Sequence, residues 1–272
     1  MVHSGSNPTQ PLSLPLGLAL TVVGIGAMKA SVFAAPALLG VVGFRGFLAV
    51  SEALLPLPAL LFLALRGASR WRALALSPLR KTGVALCIGL GAALWLASLG
   101  LLELQYTVWP PGRDYIEGFR QIHDLLRPSG PFDALVSLVA IAVLPAICEE
   151  TAIRGVLLPS LRTRLALPLA IGLSAAAFAL MHDPYRMPFT FAVGLVLGAL
   201  RLYKGSLFPS VIAHASLNAL TFAAAPFLDD PTQPLPDPRP LLGLALLVVG
   251  SYATVLLWRR LPVSGDGTLL AG

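Results

Sequence analysis

Long apolar runs separated by short polar segments set the pattern of the chain. The runs cover 12–33, 36–65, 83–104, 132–158, 165–182, 188–203, 205–225 and 240–258. A helix that crosses a bilayer needs about 20 apolar residues, so each run predicts one spanning helix, about eight in all. The first two are the least regular. Lys29, Arg45 and Glu52 interrupt them, and Pro36, Pro56 and Pro58 predict kinks. The one sizeable polar segment is 105–131, which holds Tyr106, Trp109, Arg113, Asp114, Glu117, Arg120, His123 and Asp124. Its aromatic residues suit the membrane–water boundary, where part of the segment is expected to lie flat.

The charges between the runs alternate. Arg66, Arg70, Arg72, Arg80 and Lys81 precede the third run; Arg162 and Arg164 follow the fourth, Arg201 and Lys204 the sixth, Arg259 and Arg260 the eighth. The opposite set of loops holds Asp114, Glu117, Asp124, Asp183, Asp229, Asp230 and Asp237. Lys and Arg mark the cytoplasmic side, and eight spans then place both termini in the cytoplasm. Composition agrees with a lipid solvent. Of 272 residues 56% are hydrophobic and only 12% charged, with a mean hydropathy of +0.80. A soluble domain carries about 25% charged residues. The net charge of +6 therefore reads as topology and not as a nucleic-acid surface. The expected fold is all-α and polytopic, without internal repeats. The low Lys content and the Ala, Leu, Arg and Pro bias look like a high-GC bacterium, and the expected location is its inner membrane. Cys87 and Cys148 both lie in apolar runs and offer neither a disulfide framework nor metal-ligand spacing.

Ionisable groups at the middle of a bilayer cost about 2.5–3.5 kcal/mol on insertion scales and persist where they pair or work. Three clusters stand out. Glu149 and Glu150 are adjacent, late in an apolar run, with Arg154 following. Glu150 and Arg154 are four apart and share a helix face, so they can pair. Glu149 is turned about 100° away and has no partner on its own helix. Desolvation of an unpaired carboxylate disfavours its charge, which makes a glutamate a useful general base near neutral pH. His182 ends the fifth run. His214 and Asn218 lie four apart in the seventh, so both can point into one cavity, and aligned donors of this kind suit a developing oxyanion. A single Asn in a membrane helix also serves as interhelical glue. Two adjacent acids do not fit that role.

The ordered set Glu149-Glu150-x-x-x-Arg154, Phe178-x-x-x-His182 and His214-x-x-x-Asn218 resembles the CAAX-protease and bacteriocin-processing family of intramembrane endopeptidases. The resemblance covers about 132–225 and departs from the family at Ile153, where an aromatic is frequent. It implies peptide-bond hydrolysis, with Glu149 and His182 activating water, His214 and Asn218 stabilising the oxyanion, and Glu150 pairing with Arg154. The family is also described as metalloproteases. A divalent metal such as zinc held by Glu149, His182 and His214 is therefore a second mechanism, although no His-Glu-x-x-His is present. The implied partners are the bilayer and a membrane-attached or exported protein, cut at a CAAX-like tail or a C-terminal sorting signal. The latter belongs to a myxosortase-like branch.

The organisation expected is a helical region with its polar segment over 1–131, a catalytic core over 132–225 with its cavity between the fourth, fifth and seventh helices, and a last helix and tail over 226–272. Two other classes compete. Gly172-Leu173-Ser174-Ala175 loosely resembles a rhomboid serine motif, with His214 as base, but it leaves the glutamates without a role. A non-catalytic transporter, immunity or scaffold protein would use the same polar residues as an ion path or as structural glue.

Overall fold

A computed structural model describes residues 11–67, 73–228 and 237–263. The expectations for Arg70, Arg72, Asp229 and Asp230, and for most of the tail, lie outside the described residues. Among those described, every regular element is helical and no strand occurs. The helices are α1 (Leu14–Ala30), α2 (Ala35–Leu54), α3 (Leu57–Leu65), α4 (Lys81–Val108), α5 (Arg113–Leu126), α6 (Pro131–Arg162), α7 (Leu167–Ala179), α8 (Met187–Lys204), α9 (Phe208–Leu228) and α10 (Pro240–Arg260). Five stretches among the described residues are long and apolar enough to cross a bilayer: Leu14–Leu54, α4, α6, α8 and α10. The 13-residue α7 is a shorter apolar helix, and α9 has 21 residues. The chain is an integral membrane protein.

Prolines place most helix starts. They sit in the first turn of α1, α2, α3, α6, α7, α8 and α10, where the missing N–H has no helical partner to lose. Pro36 and Pro58 thus begin helical segments instead of bending helix interiors. Two prolines do lie inside α6, Pro145 and Pro159. Each follows a π-helical segment, Val139–Val143 and Thr151–Leu157 respectively. A proline ring collides with the carbonyl four residues earlier in an α-helix, and the wider π turn relieves that collision. Between the two π segments lies the short α-helical stretch Leu144–Glu150, which ends on the acid pair.

The first hairpin reverses later than the prolines suggest. Ser31 Oγ donates to Ser51 Oγ at 2.9 Å, Ser51 Oγ lies 3.4 Å from the Met28 carbonyl, and Gly24 faces the backbone of Leu55. These pairings make 14–31 antiparallel to 51–65. The reversal falls at Gly43, whose φ of 68° and ψ of −179° break α2 in a conformation that favours glycine. Two of the charges that interrupt these runs, Lys29 and Arg45, turn toward polar partners. Arg45 donates to Ser137 Oγ at 2.5 Å, pairs with Asp133 at 3.2 Å, and reaches the Leu126 and Arg127 carbonyls at 3.3 Å. It ties the hairpin to the corner between α5 and α6. The segment 105–131 is largely helical: α4 continues to Val108, and α5 follows.

Helices α4 and α10 pack backbone to backbone. A Cβ at Gly100 would run into Leu247 and Gly243, and one at Gly250 into Ala93 and Ala97. Small residues permit this approach in lipid, where close van der Waals packing holds helices together. Gly100→Ala is expected to cost about 1–3 kcal/mol through overpacking, seen as a lower thermal midpoint in detergent; an unchanged midpoint would show that the pair can slide apart freely. Lys204, counted among the loop charges, is buried. Its Nζ donates to the Trp258 and Leu261 carbonyls at 3.1 and 2.8 Å, capping α10. Around this frame α9 packs on α4, α6 and α8, and α1 packs on the second half of α6.

Candidate active site

The acid pair on α6 divides its work by helical phase. Glu150 is fully buried and points toward Arg154, one turn on. Their contact, Arg154 Nη1 to Glu150 Oε1, is 2.9 Å. Arg154 is equally buried. Its Nη2 donates to the Gly194 carbonyl of α8 at 3.0 Å, and its guanidinium lies 4.5 Å from the centre of the Phe178 ring. A buried ion pair is held only when further hydrogen bonds satisfy both charges, and the Gly194 carbonyl supplies one. Glycine at 194 also permits the close approach, because a Cβ there would press on Ala175 of α7.

His214 of α9 enters this network between the two acids. Its Nδ1 is 3.1 Å from Glu150 Oε1, and its Nε2 is 3.5 Å from Glu149 Oε2. Glu150 Oε1 thus receives both Arg154 and His214. Glu149 has no partner on its own helix, as its phase predicts, and meets His214 from across the bundle.

His182 lies in the turn after α7, which ends at Ala179, and not on the helix itself. Its Nδ1 is 2.9 Å from the Phe178 carbonyl. A carbonyl only accepts, so Nδ1 carries the proton, and the neutral ring presents a lone pair at Nε2. Phe178 is the common platform. Its ring meets His182 edge-on at 4.9 Å and His214 at 5.5 Å, and carries Arg154 on its face.

A cavity of about 770 Å³ opens beside these groups, within the range of about 300–1,000 Å³ common for ligand pockets. Glu149, His182, His214 and Asn218 all line it. Glu150 and Arg154 do not line it; they stand behind, as support. The apolar wall includes Trp95, Leu99 and Leu102 of α4, Phe119 and Ile122 of α5, and Leu217 and Phe222 of α9. Arg120, Arg127, Arg186 and Asp124 also line it. Helix α5 is therefore part of the cavity wall. The expected position is between the fourth, fifth and seventh helices (α6, α7 and α9); the lining includes residues of α4, α5, α6, α8 and α9 and of the turn after α7, and none from α7 itself.

Other expectations fare differently. Glu149, His182 and His214 do not form a metal-holding group, and no cluster of three His, Cys, Asp or Glu suited to a metal occurs among the described residues. Ser174 is fully buried, donates to the Ile171 carbonyl at 2.9 Å, and is not among the residues lining the cavity, so the serine motif has no access to it. The sequence carries no signal for the Glu150–His214 contact or for the Gly194 carbonyl. The residues of these contacts lie 64 and 40 positions apart, and no helical spacing joins them.

Comparison with known proteins bears on the same stretch. Residues 131–220 match the family described as Rce1-like, type II CAAX prenyl endopeptidase. No curated protein and no solved structure matches the chain.

Proposed function

We propose that this chain, which carries an Rce1-like CAAX endopeptidase domain at residues 131–220, hydrolyses a peptide bond near the C-terminus of a membrane-attached or exported protein. The observation that carries the reading is the sorting of the six polar residues. The four with acid–base or donor capacity face one cavity, and the Glu150–Arg154 ion pair of α6 stands behind it.

The chemistry follows from the atoms exposed. A water in the cavity donates to Glu149 and to the free Nε2 of His182. Glu149 takes its proton as the oxygen attacks the scissile carbonyl. The carbonyl oxygen gains charge and is met by the Asn218 amide and by His214, when the latter's ring carries both protons. Glu150 keeps the His214 Nδ1–H in place, so Nε2–H faces the cavity. Glu149 then returns its proton to the leaving amine, and the carbon–nitrogen bond breaks. Asn218 and His214 are one turn apart on α9, so one rigid element presents both donors.

The cavity shares its wall with α5 and with the turn around His182, which belong to the loop set with fewer Lys and Arg residues. By the positive-inside rule that set is non-cytoplasmic. This supports substrates that have been exported, such as a surface protein bearing a C-terminal sorting signal, the substrate of the myxosortase-like branch. Bacterial inner-membrane placement with both termini cytoplasmic belongs to the same proposal.

The test compares the C-termini of membrane and surface proteins by mass spectrometry. Three strains are needed: a deletion, the deletion carrying the unaltered gene, and the deletion carrying Glu149→Ala at matched protein level. Defined tails are expected to persist in the deletion and the Glu149→Ala strain and to be trimmed with the unaltered gene. Identical tails in all three would remove the proposed substrate class. Full rescue of every defect by Glu149→Ala would favour a scaffold role.

A further inference from the structure

His182 is carried by seven residues of turn, 180–186, between the end of α7 and the start of α8. A helix end leaves its last carbonyls without helical partners. Buried carbonyls of this kind need partners from the protein or from ordered water. Two of the turn's carbonyls are met by side chains from outside the 131–220 domain. Lys29 Nζ, in the last turn of α1, donates to the Met181 carbonyl at 2.6 Å. Gln105 Nε2, near the end of α4, donates to the Tyr185 carbonyl at 2.7 Å. Met181 immediately precedes His182 and Tyr185 follows it by three positions, so the two bonds bracket the imidazole.

Both donors are otherwise costly where they stand. Lys29 lies on an exposed side of α1 within the first candidate span, where an ammonium without a partner is costly. Its charge, placed at the C-terminal end of α7, is favoured by that helix's dipole. Gln105 is buried, and its Oε1 has no hydrogen-bond partner among the described residues. Its position is thus set by the bond its Nε2 makes to the turn. Packing acts in the same direction. The Tyr185 ring meets Trp109 at 5.6 Å and Tyr115 of α5 at 5.0 Å, while Met28 and Met181 share one apolar cluster.

Taking His182 as the water-holding group of the proposed reaction, we infer that Lys29 and Gln105 are positioning residues that fix the His182 turn from helices outside the catalytic domain. They touch neither water nor substrate. Their effect passes through the backbone of 181–185 to the imidazole, whose Nδ1–H bond to Phe178 then leaves Nε2 pointing into the cavity. The N-terminal helices are accordingly part of the active site's support, and the 131–220 segment by itself lacks two of the contacts that order it.

The experiment uses the full chain in lipid nanodiscs, labelled with 15N-histidine. The sequence has four histidines, and His182→Gln assigns the resonances of interest. The unaltered protein is expected to show two well-separated ring nitrogens for His182, the signature of a single Nδ1–H tautomer. Lys29→Met and Gln105→Leu are each expected to merge or broaden these signals, with the His214 signals unchanged. Lys29→Arg, which keeps a donor and the charge, is expected to restore them. In the strains described above, Lys29→Met is expected to slow tail trimming at least tenfold at matched protein level. Unaltered His182 signals in both Lys29→Met and Gln105→Leu would overturn the inference. Normal trimming by His182→Gln would instead refute the catalytic role of His182 and leave the spectroscopic result standing. Should Lys29→Met not accumulate, Gln105→Leu and the Lys29→Arg control decide the question alone.

Discussion

Replacing Glu149 with glutamine is expected to lower the cleavage rate about 10²–10⁴-fold, the usual contribution of a positioned general base, and to leave the protein folded. Replacing Glu150 with glutamine is expected to do something different. The two residues are neighbours in the chain, equally acidic and both buried. Their surroundings separate them. Glu149 faces the cavity, and His214 lies 3.5 Å from its carboxylate. Glutamine at that position keeps the volume and a hydrogen-bonding carbonyl but cannot accept a proton from water. Glu150 holds Arg154 at 2.9 Å and His214 at 3.1 Å on one oxygen. An uncharged amide there leaves the buried guanidinium without its counter-charge. The measurement is a pair of rates and a pair of thermal midpoints on purified protein. Glu149→Gln should fall in rate and hold its midpoint, while Glu150→Gln should fall in both. A Glu149→Gln enzyme that cuts at the unaltered rate would show that the base is another group. A stable and active Glu150→Gln enzyme would show that the ion pair has no supporting role.

Much of this arrangement is legible in the amino-acid sequence. The bilayer sets a length for a spanning helix; the apolar runs correspond to α1, α2 with α3, α4 and α6 to α10, while five stretches among the described residues are long and apolar enough to cross. Spacings of four give the Glu150–Arg154 contact and put His214 and Asn218 on one face, because both are properties of a single helix. Contacts between helices are less accessible. Nothing about Gly43 among 25 glycines marks it as the point where the first hairpin turns; the prolines at 36, 56 and 58 attract attention, yet they lie at helix starts. The polar segment 105–131 reads as a loop because its charges hide a 14-residue helix whose apolar residues close the cavity. His214 is legible as a functional residue but not as the bridge between both acids. That bridge depends on the phase of α6, which its two π segments alter. Lys29 shows the same limit. Along the chain it is an interruption of an apolar run, and only the fold places it at a carbonyl 152 residues away.

The ion pair behind the cavity makes the strongest expectation for stability. Arg154→Met should destabilise the protein by about 3–5 kcal/mol, the cost of leaving one member of a buried pair uncompensated. The change removes three contacts together: Glu150 at 2.9 Å, the Gly194 carbonyl at 3.0 Å and the face of Phe178 at 4.5 Å. Methionine fills much of the volume and leaves the Glu150 carboxylate and the Gly194 carbonyl unanswered. The double variant Glu150→Leu with Arg154→Met removes both charges, and well-packed apolar replacements of a buried pair are often neutral or better. It should therefore recover most of the stability lost in the single variant. It should not recover cleavage, because His214 Nδ1 then has no acceptor to set the direction of its ring. Stability can be measured by reversible unfolding in mixed micelles and activity by tail trimming at matched protein level. A double variant that regains both would reduce the pair to packing. A single variant costing under about 1 kcal/mol, in the range of an exposed surface pair, would mean that water reaches Arg154 and that the pair does not hold α6 against α8. The expected result, recovered stability without recovered cleavage, would separate the two duties proposed for Glu150: the pair with Arg154 holding the fold, and the bond to His214 aiming the imidazole at the substrate.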